Sequence, residues 1–503
     1  MLCVRVLAIF CSLLFLTAPS AGAAEALDLV IRGGRVLDPE TGLDAVRNVG
    51  VQGGQIVAIT PEPLAGAREI DATGRVVAPG FIDLHTHSPT PLGQDFQVRD
   101  GVTTALELEA GSFPVDRYGA QIAEAPRMNF GASVSYASIR LLVKSGIERP
   151  HMASEEMAMH GWKGWWTAFR SLFTPPEEAF NERATAAERA EMRTLLEQGI
   201  AAGGLGVGLP LDYFSEGMDE EEVGMVFEVA AAAEVPVFIH VRRGINGDPA
   251  GLREALDQAR RTGASVHICH ITHNAMRNIE LFLREIREAR GDGVDVTTEI
   301  LPYNAGSAMI QSAVFGRDWR TIFAIDYEDV EWAATGERFT RERFEEYREK
   351  YPEGQVVHHY LKEEWTRRAL AEEDVIVVSD LLPMESRDKN VAPHNGAFAR
   401  VLGRYARDAG ILSLPEAVRR MTLLPARRLE SFAPAFRRKG RVQVGADADL
   451  TIFDPATVID RATYRDPWQA SAGIETVLVG GEVVVENGQL VEGAAPGQRL
   501  RAD

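Results

Sequence analysis

The sequence predicts an α/β fold: a (β/α)8 TIM-like barrel with a small β domain formed from both chain ends. Three observations lead there. Eight apolar, strand-like runs alternate with amphipathic helical segments through the middle of the chain, which implies a parallel sheet closed by its crossovers. Short runs punctuated by glycine at both ends read as antiparallel β structure. The length of 503 residues accommodates a barrel of about 250 residues, two long insertions and an accessory domain.

Taken in order, Asp28 to Ile31, Val49 to Val51, Gln55 to Ile59 and Arg75 to Val77 are the N-terminal β runs, and Asp449 to Phe453, Thr476 to Val479 and Glu482 to Val485 their C-terminal counterparts. The barrel strands are expected at Pro79 to Leu84, Val102 to Leu108, Asn129 to Ser135, Leu205 to Leu209, Val235 to Ile239, Ser265 to Cys269, Val294 to Ile300 and Val375 to Ser379. Helical segments at Ala187 to Ala202, Glu220 to Ala233, Gly251 to Thr262, Asn278 to Arg290 and Lys362 to Glu372 fall between them. A doubly wound open sheet is the other fold with this alternation, but no glycine-rich phosphate turn follows any of the strands. The expected division is 1–23 as a signal peptide, 24–78 with 437–503 as the small β domain, and 79–436 as the barrel. Insertions near 141–183 and 311–360 carry Trp162, Trp165 and Trp166, and Trp319, Trp332 and Tyr351, respectively. Such insertions at a barrel mouth serve as lids or substrate walls; a surface hairpin or an oligomer contact is the alternative.

Composition narrows the function. With 45% hydrophobic and 25% charged residues, the chain is that of an ordinary folded protein. Its 53 Lys+Arg against 73 Asp+Glu leave a net charge of −20, and no basic cluster is dense enough for a nucleic-acid footprint. Arg5, the apolar stretch Val6 to Thr17 and Ala21-Gly22-Ala23 form an export signal with cleavage near Ala23, too short to span a bilayer at about 20 residues. The expected location is therefore periplasmic or secreted, with no stable membrane anchor. Of three cysteines only Cys269 lies beyond this leader, so no internal disulfide is expected.

The chemistry concentrates at strand ends. In Gly80-Phe81-Ile82-Asp83-Leu84-His85-Thr86-His87, side-chain alternation puts His85 and His87 on one face at the end of the first strand, where two imidazoles can share a divalent ion. His240 closes the fifth run, His270 the sixth and Asp380 the eighth. Barrel active sites are built at this face, so four histidines and an aspartate converge on one point.

This order of residues resembles the amidohydrolase superfamily, and within it the N-acyl-D-amino-acid deacylase (D-aminoacylase) branch. The resemblance spans nearly the whole chain beyond the leader. It includes Ile31 to Val36, Val77 to Asp83, Gly101-Val102-Thr103-Thr104, Pro302 to Ser307, Gly396 to Gly403, Met421 to Ala426, Gly445 to Leu450 and Gly480-Gly481. It implies Zn2+, one or two per chain, with His240 and His270 as ligands and with His85, His87 and Asp380 around a second position. The branch places a cysteine soon after Gly-Val-Thr-Thr; the ungapped counterpart here is Ala110. A carboxylate bridges zinc as a thiolate does, so Glu109 is the expected replacement, with Glu107 in reserve and a mononuclear site the alternative.

Zinc lowers the pKa of bound water to about 7 and polarises the carbonyl, while Asp380 would take the water proton and return it to the leaving nitrogen. For the substrate carboxylate, Tyr303 and Ser307 match the branch, whereas its usual lysine is Thr272 and its His-Pro-Arg is replaced by a longer segment. Arg242, Arg387 and Lys389 are candidate cations in their place. The expected function is zinc-dependent deacylation of a small-molecule N-acyl-D-amino acid. A hydantoinase-like or dihydroorotase-like cyclic-amide hydrolase, a dipeptidase, and a degenerate barrel used for binding are the alternatives. Oligomeric state is not legible.

Overall fold

The computed structural model describes residues 27–152, 176–214, 216–352, 354–387 and 392–502. The expected export signal, the three tryptophans at 162, 165 and 166, and Lys389 lie outside these residues.

Eight parallel strands form the barrel: β1 (Phe81–Asp83), β2 (Val102–Ser112), β3 (Asn129–Ser135), β4 (Val207–Leu209), β5 (Val237–Ile239), β6 (Val266–Ile268), β7 (Val296–Ile300) and β8 (Val375–Val377). Each pairs with its sequence neighbour, as consecutive parallel strands joined by crossovers commonly do. The gap between β8 and β1 is stitched at the C-terminal mouth. Asp380 N–H donates to His85 C=O and His87 N–H to Leu381 C=O, both at 2.8 Å. Asp83 accepts the Ser379 backbone N–H at 3.1 Å. The residues that close the barrel are therefore neighbours of the expected site residues.

Capping explains the crossover helices. Ala186–Ala201 starts at a Thr185/Glu188 capping box, Glu220–Ala232 starts at Asp219, and Ala250–Thr262 ends at Gly263 in the left-handed region (φ 77°). Val237, Ile239, Val266 and Ile268 pack outward against Leu252, Leu256 and Phe282 of the helices. Ile82, Leu106, Phe238 and Ile376 come from four different strands yet share one cluster with Leu429 and Phe436, which places that cluster in the barrel interior. Each such buried side chain contributes about 1.5–3 kcal/mol of transfer free energy.

Two expectations are refined. The single run Pro79 to Leu84 is divided at Gly80: Val76–Pro79 belongs to the terminal sheet and Phe81–Asp83 to the barrel. A Cβ on Gly80 would stand 2.1 Å from Thr103 Oγ1, so only glycine fits the turn between the two sheets. β2 runs four residues beyond its expected end at Leu108, with a register break against β3 between Glu107 and Ser112. That extension carries Glu109 out over the mouth.

The two chain ends share one nine-stranded sheet, joined where Val76–Pro79 pairs antiparallel with Leu450–Phe453. The last residues leave it and run back along the barrel, where Phe130 N–H donates to Gln498 C=O and Leu500 N–H to Phe130 C=O. The connection between β7 and β8 folds into a four-stranded sheet of Gly306–Met309, Gln355–His358, Val330–Trp332 and Glu337–Arg338. Phe315, Trp319, Phe323, Phe339 and Phe344 fill its own apolar cluster. Among the described residues, no helix is long and apolar enough to cross a membrane.

Candidate metal centre

At the barrel mouth, Glu109 stands among all four expected histidines. Its Oε1 lies 3.0 Å from His240 Nδ1 and 3.0 Å from His270 Nε2. Its Oε2 lies 3.2 Å from His85 Nε2 and 3.5 Å from His87 Nε2. One carboxylate oxygen thus serves each histidine pair. Asp380 Oδ1 completes the second pair, 3.5 Å from His85 Nε2 and 3.3 Å from His87 Nε2. The groups His85–Glu109–His270 and His85–His87–Asp380 each bring their ligand atoms close enough for one ion.

Behind the His85–His87 pair stand two further carboxylates. His85 Nδ1 donates to Glu299 Oε1, and His87 Nδ1 donates to Glu107 Oε2, each at 2.6 Å. Glu107, held in reserve as a ligand by the sequence reading, therefore orients a ligand, and it is shared with His151 Nε2 at 2.7 Å. Glu299 also accepts from His267 Nε2 at 2.9 Å and from the His270 backbone N–H at 3.1 Å. With the Nδ1 hydrogens committed, the Nε2 atoms of His85 and His87 lie 3.2 Å apart and both face the Glu109 and Asp380 oxygens. There they carry protons toward those carboxylates or give them up to a cation, so the donor set fits a divalent metal with carboxylate-backed imidazole ligands.

The electrostatics follow. Burial disfavours a charged His87, yet Glu107 and Asp380 push it up to about 10. Burial likewise opposes charge on His85, but Glu109, Glu299 and Asp380 hold it well above the ordinary imidazole value. Burial and the adjacent His270 push His240 down to about 4. Burial would raise Asp380, but His85, His87 and His270 keep it below the usual carboxylate range. Asp380 and His270 also occupy positive φ, 47° and 28°, where a non-glycine residue is strained. Cys269 is buried, and burial with the Glu299 charge pushes its thiol up.

The expected substrate groups are dispersed. Tyr303 is buried with its ring 4.9 Å from that of His394, and its hydroxyl has no partner among the described residues. His394 Nδ1 donates to the Asp380 carbonyl at 2.9 Å. Ser307 sits in the insertion sheet, its Oγ 3.4 Å from Val356 C=O. Arg387 lies over the Phe96 ring at 5.6 Å. Arg242 donates to Glu254 at 2.8 Å and to Met218 C=O at 2.6 Å, so its guanidinium is committed to the scaffold. The cation beside the histidines is instead its neighbour, Arg243, with NH2 3.0 Å from His240 Nε2.

Sequence reasoning missed Glu299, Arg243 and the orienting use of Glu107. The available signal was a carboxylate inside an apolar strand: Glu299 lies in Val296–Ile300 and is 1% exposed, a position a carboxylate occupies only with partners.

Comparison with known proteins agrees with this geometry. A profile of the amidohydrolase family matches residues 346–485. N-acyl-D-glutamate deacylase of Alcaligenes xylosoxydans xylosoxydans is 32% identical over 522 aligned residues, covering 95% of this chain and 97% of the relative. D-aminoacylase of the same organism is 29% identical, covering 92% and 96%. The crystal structure of N-acyl-D-glutamate deacylase from Bordetella bronchiseptica, complexed with zinc and a phosphonate mimic of the tetrahedral intermediate, superposes with a TM-score of 0.77 at 28% identity, covering 95% of this chain and 100% of that one. With that identity sustained from one end of the relative to the other, the chain belongs to the D-aminoacylase branch of the amidohydrolase superfamily.

Proposed function

We propose that this protein is a zinc-dependent hydrolase that deacylates N-acyl-D-amino acids. The observation that carries the reading is Glu109, with one oxygen toward His240 and His270 and the other toward His85 and His87. His240, His270 and Glu109 would hold one zinc ion; His85, His87 and Asp380 would border a second position, which the other Glu109 oxygen also faces. Bound zinc supplies a Lewis acid for the amide carbonyl and acidifies water.

The chain's own residues do the rest. Glu299 and Glu107 accept from the Nδ1 atoms of His85 and His87, so that both Nε2 atoms would be turned toward a bound metal. Asp380, ionised and held over the cluster, takes the proton of the attacking water and delivers it to the leaving nitrogen, which would depart poorly as an anion. The backbone bond from Asp380 N–H to His85 C=O and the His394 bond to its carbonyl keep this carboxylate in its strained position. The leader at 1–23 supports an exported enzyme, which sequencing the N-terminus of exported protein tests; a start at Met1 would overturn that location.

The function is tested by zinc content and a substrate panel. The wild type should hydrolyse N-acetyl-D-amino acids and leave N-acetyl-L-amino acids, hydantoins and dipeptides untouched, and Glu109→Ala should hold less zinc per chain. Activity confined to L-substrates or cyclic amides would overturn the deacylase reading. Equal zinc in both proteins would overturn the ligand role of Glu109.

A further inference from the structure

The chain that leaves β8 carries Asp380 and then returns to it. Asp380 stands just past the strand at φ 47°, in the left-handed region, so the place of its carboxylate depends on what holds its backbone there. Its N–H is held by His85 C=O at 2.8 Å, and the residues on either side are tied as well, Ser379 to Asp83 and Leu381 C=O to His87 N–H. Among the described residues one side chain holds the Asp380 carbonyl, that of His394, at 2.9 Å. A carbonyl only accepts, so His394 Nδ1 carries a proton, and its Nε2 has no partner among the described residues. The whole residue is buried.

The His394 ring is itself braced. It lies 4.9 Å from the Tyr303 ring, tilted by 30°. Arg400 stands 4.6 Å over that same tyrosine and donates to Pro302 C=O and to Asp460, each at 2.7 Å. Asn395, next to His394, donates to the carbonyls of Pro467 and Gln469, each at 3.1 Å. Asp460, Pro467 and Gln469 all belong to the connection between Leu450–Phe453 and Ile474–Val479 of the terminal sheet. A line of contacts thus runs from that connection through Arg400, Tyr303 and His394 to the backbone of Asp380. Glu107 and Glu299 back the imidazoles of the metal centre, whereas His394 bonds to the backbone of the base.

We infer that His394 is a positioning residue for the general base: it fixes the Asp380 carboxylate through the backbone and so governs turnover rather than metal loading or substrate affinity. This rests on the deacylase reading above. It also gives the terminal-sheet connection, far from the strand ends in sequence, a part in supporting the reaction.

The test separates the donor from the ring, using the zinc-loaded enzyme and the best substrate of the N-acetyl-D-amino acid panel. His394→Phe keeps an aromatic face against Tyr303 and loses the donor; kcat should fall by about 10–100-fold, with KM within about threefold and zinc per chain unchanged. His394→Asn loses the ring but places an amide N–H where Nδ1 stands, and should retain kcat within about fivefold of the wild type. Packing alone would give the reverse order, with Phe harmless and Asn damaging, and that result overturns the inference. So does a loss of zinc that matches the loss of kcat. Added to Asp380→Asn, the Phe change should cost nothing further, because the group it positions is already gone; additive losses would show that His394 acts elsewhere. One measurement needs no variant to fold: spectra of the wild type with 15N-labelled histidine should show His394 protonated on Nδ1, and a ring protonated on Nε2 alone overturns the inference. A wild type that hydrolyses no N-acetyl-D-amino acid overturns the deacylase reading instead.

Discussion

Carboxylates at the barrel mouth and carboxylates at the junction of the two chain ends are both held below their ordinary pKa, yet by partners of different kinds. In the terminal region Glu40 is pulled down to about 2 by Arg441, with Gln443 and Arg427 assisting, and Arg441 is shared with Glu430 at 2.6 Å. At the mouth, burial would raise Glu109 and Asp380, but histidines hold both of them down. Arginine keeps its proton at any physiological pH; histidine surrenders it. The first arrangement is a permanent clasp between residues about four hundred positions apart in the chain. The second is a set of positive charges that a metal ion can replace.

That contrast can be broken in four ways. The largest effect should come from Asp380→Asn, which keeps the shape and removes the base: kcat should drop by about 10²–10⁴ with the fold intact, measured as turnover and melting temperature. A drop of less than tenfold would show that Asp380 is only another paired carboxylate. Next, Glu299→Gln should weaken zinc binding by about 10–100-fold in competition with a chelator, because His85 loses the acceptor that fixes its tautomer. Unchanged affinity would mean that Glu299 is merely satisfying buried donors.

Zinc uptake should release protons at neutral pH, since His85 and His87 are held protonated by carboxylates until a cation takes their Nε2 atoms. Calorimetry in two buffers of different ionisation enthalpy measures this, and apparent affinity should fall as pH is lowered. Binding without proton release would place the ion elsewhere. The smallest effect should come from Glu40→Gln. Glu40 titrates lower in the folded chain, so its contribution is complete above its ordinary value of 4.5 and is lost as pH falls from there toward about 2. The variant should lose about 1 °C or so of melting temperature at pH 7 and show a shallower acid limb across that window. Zinc affinity should be untouched by it.

The barrel was legible because its signals are local. An apolar run bounded by turn residues is a strand whatever surrounds it, and all eight expected runs contain the observed barrel strands or, for β2, most of one. The two-residue spacing of His85 and His87 likewise placed both on one face. The position of Glu109 at the mouth was suggested for a different reason: it stands one residue before Ala110, the counterpart of the branch's cysteine, at the end of its strand. The division at Gly80 was not legible, since the run reads as continuously apolar and only the neighbouring Thr103 reveals that the chain must turn. Nor was the packed sheet of the β7–β8 connection, whose short strands pair out of sequence order.

By itself, the sequence determined the barrel, the shared sheet of the chain ends and the identity of the residues at the strand ends, because side-chain period and strand direction act over a few residues. Only the tertiary structure decided what those residues do to one another. Glu107 and Glu299 became the acceptors behind His87 and His85, and Arg243 rather than Arg242 came to face His240. Such roles depend on distances of about 3 Å between atoms on different strands, and no local rule of the chain encodes them.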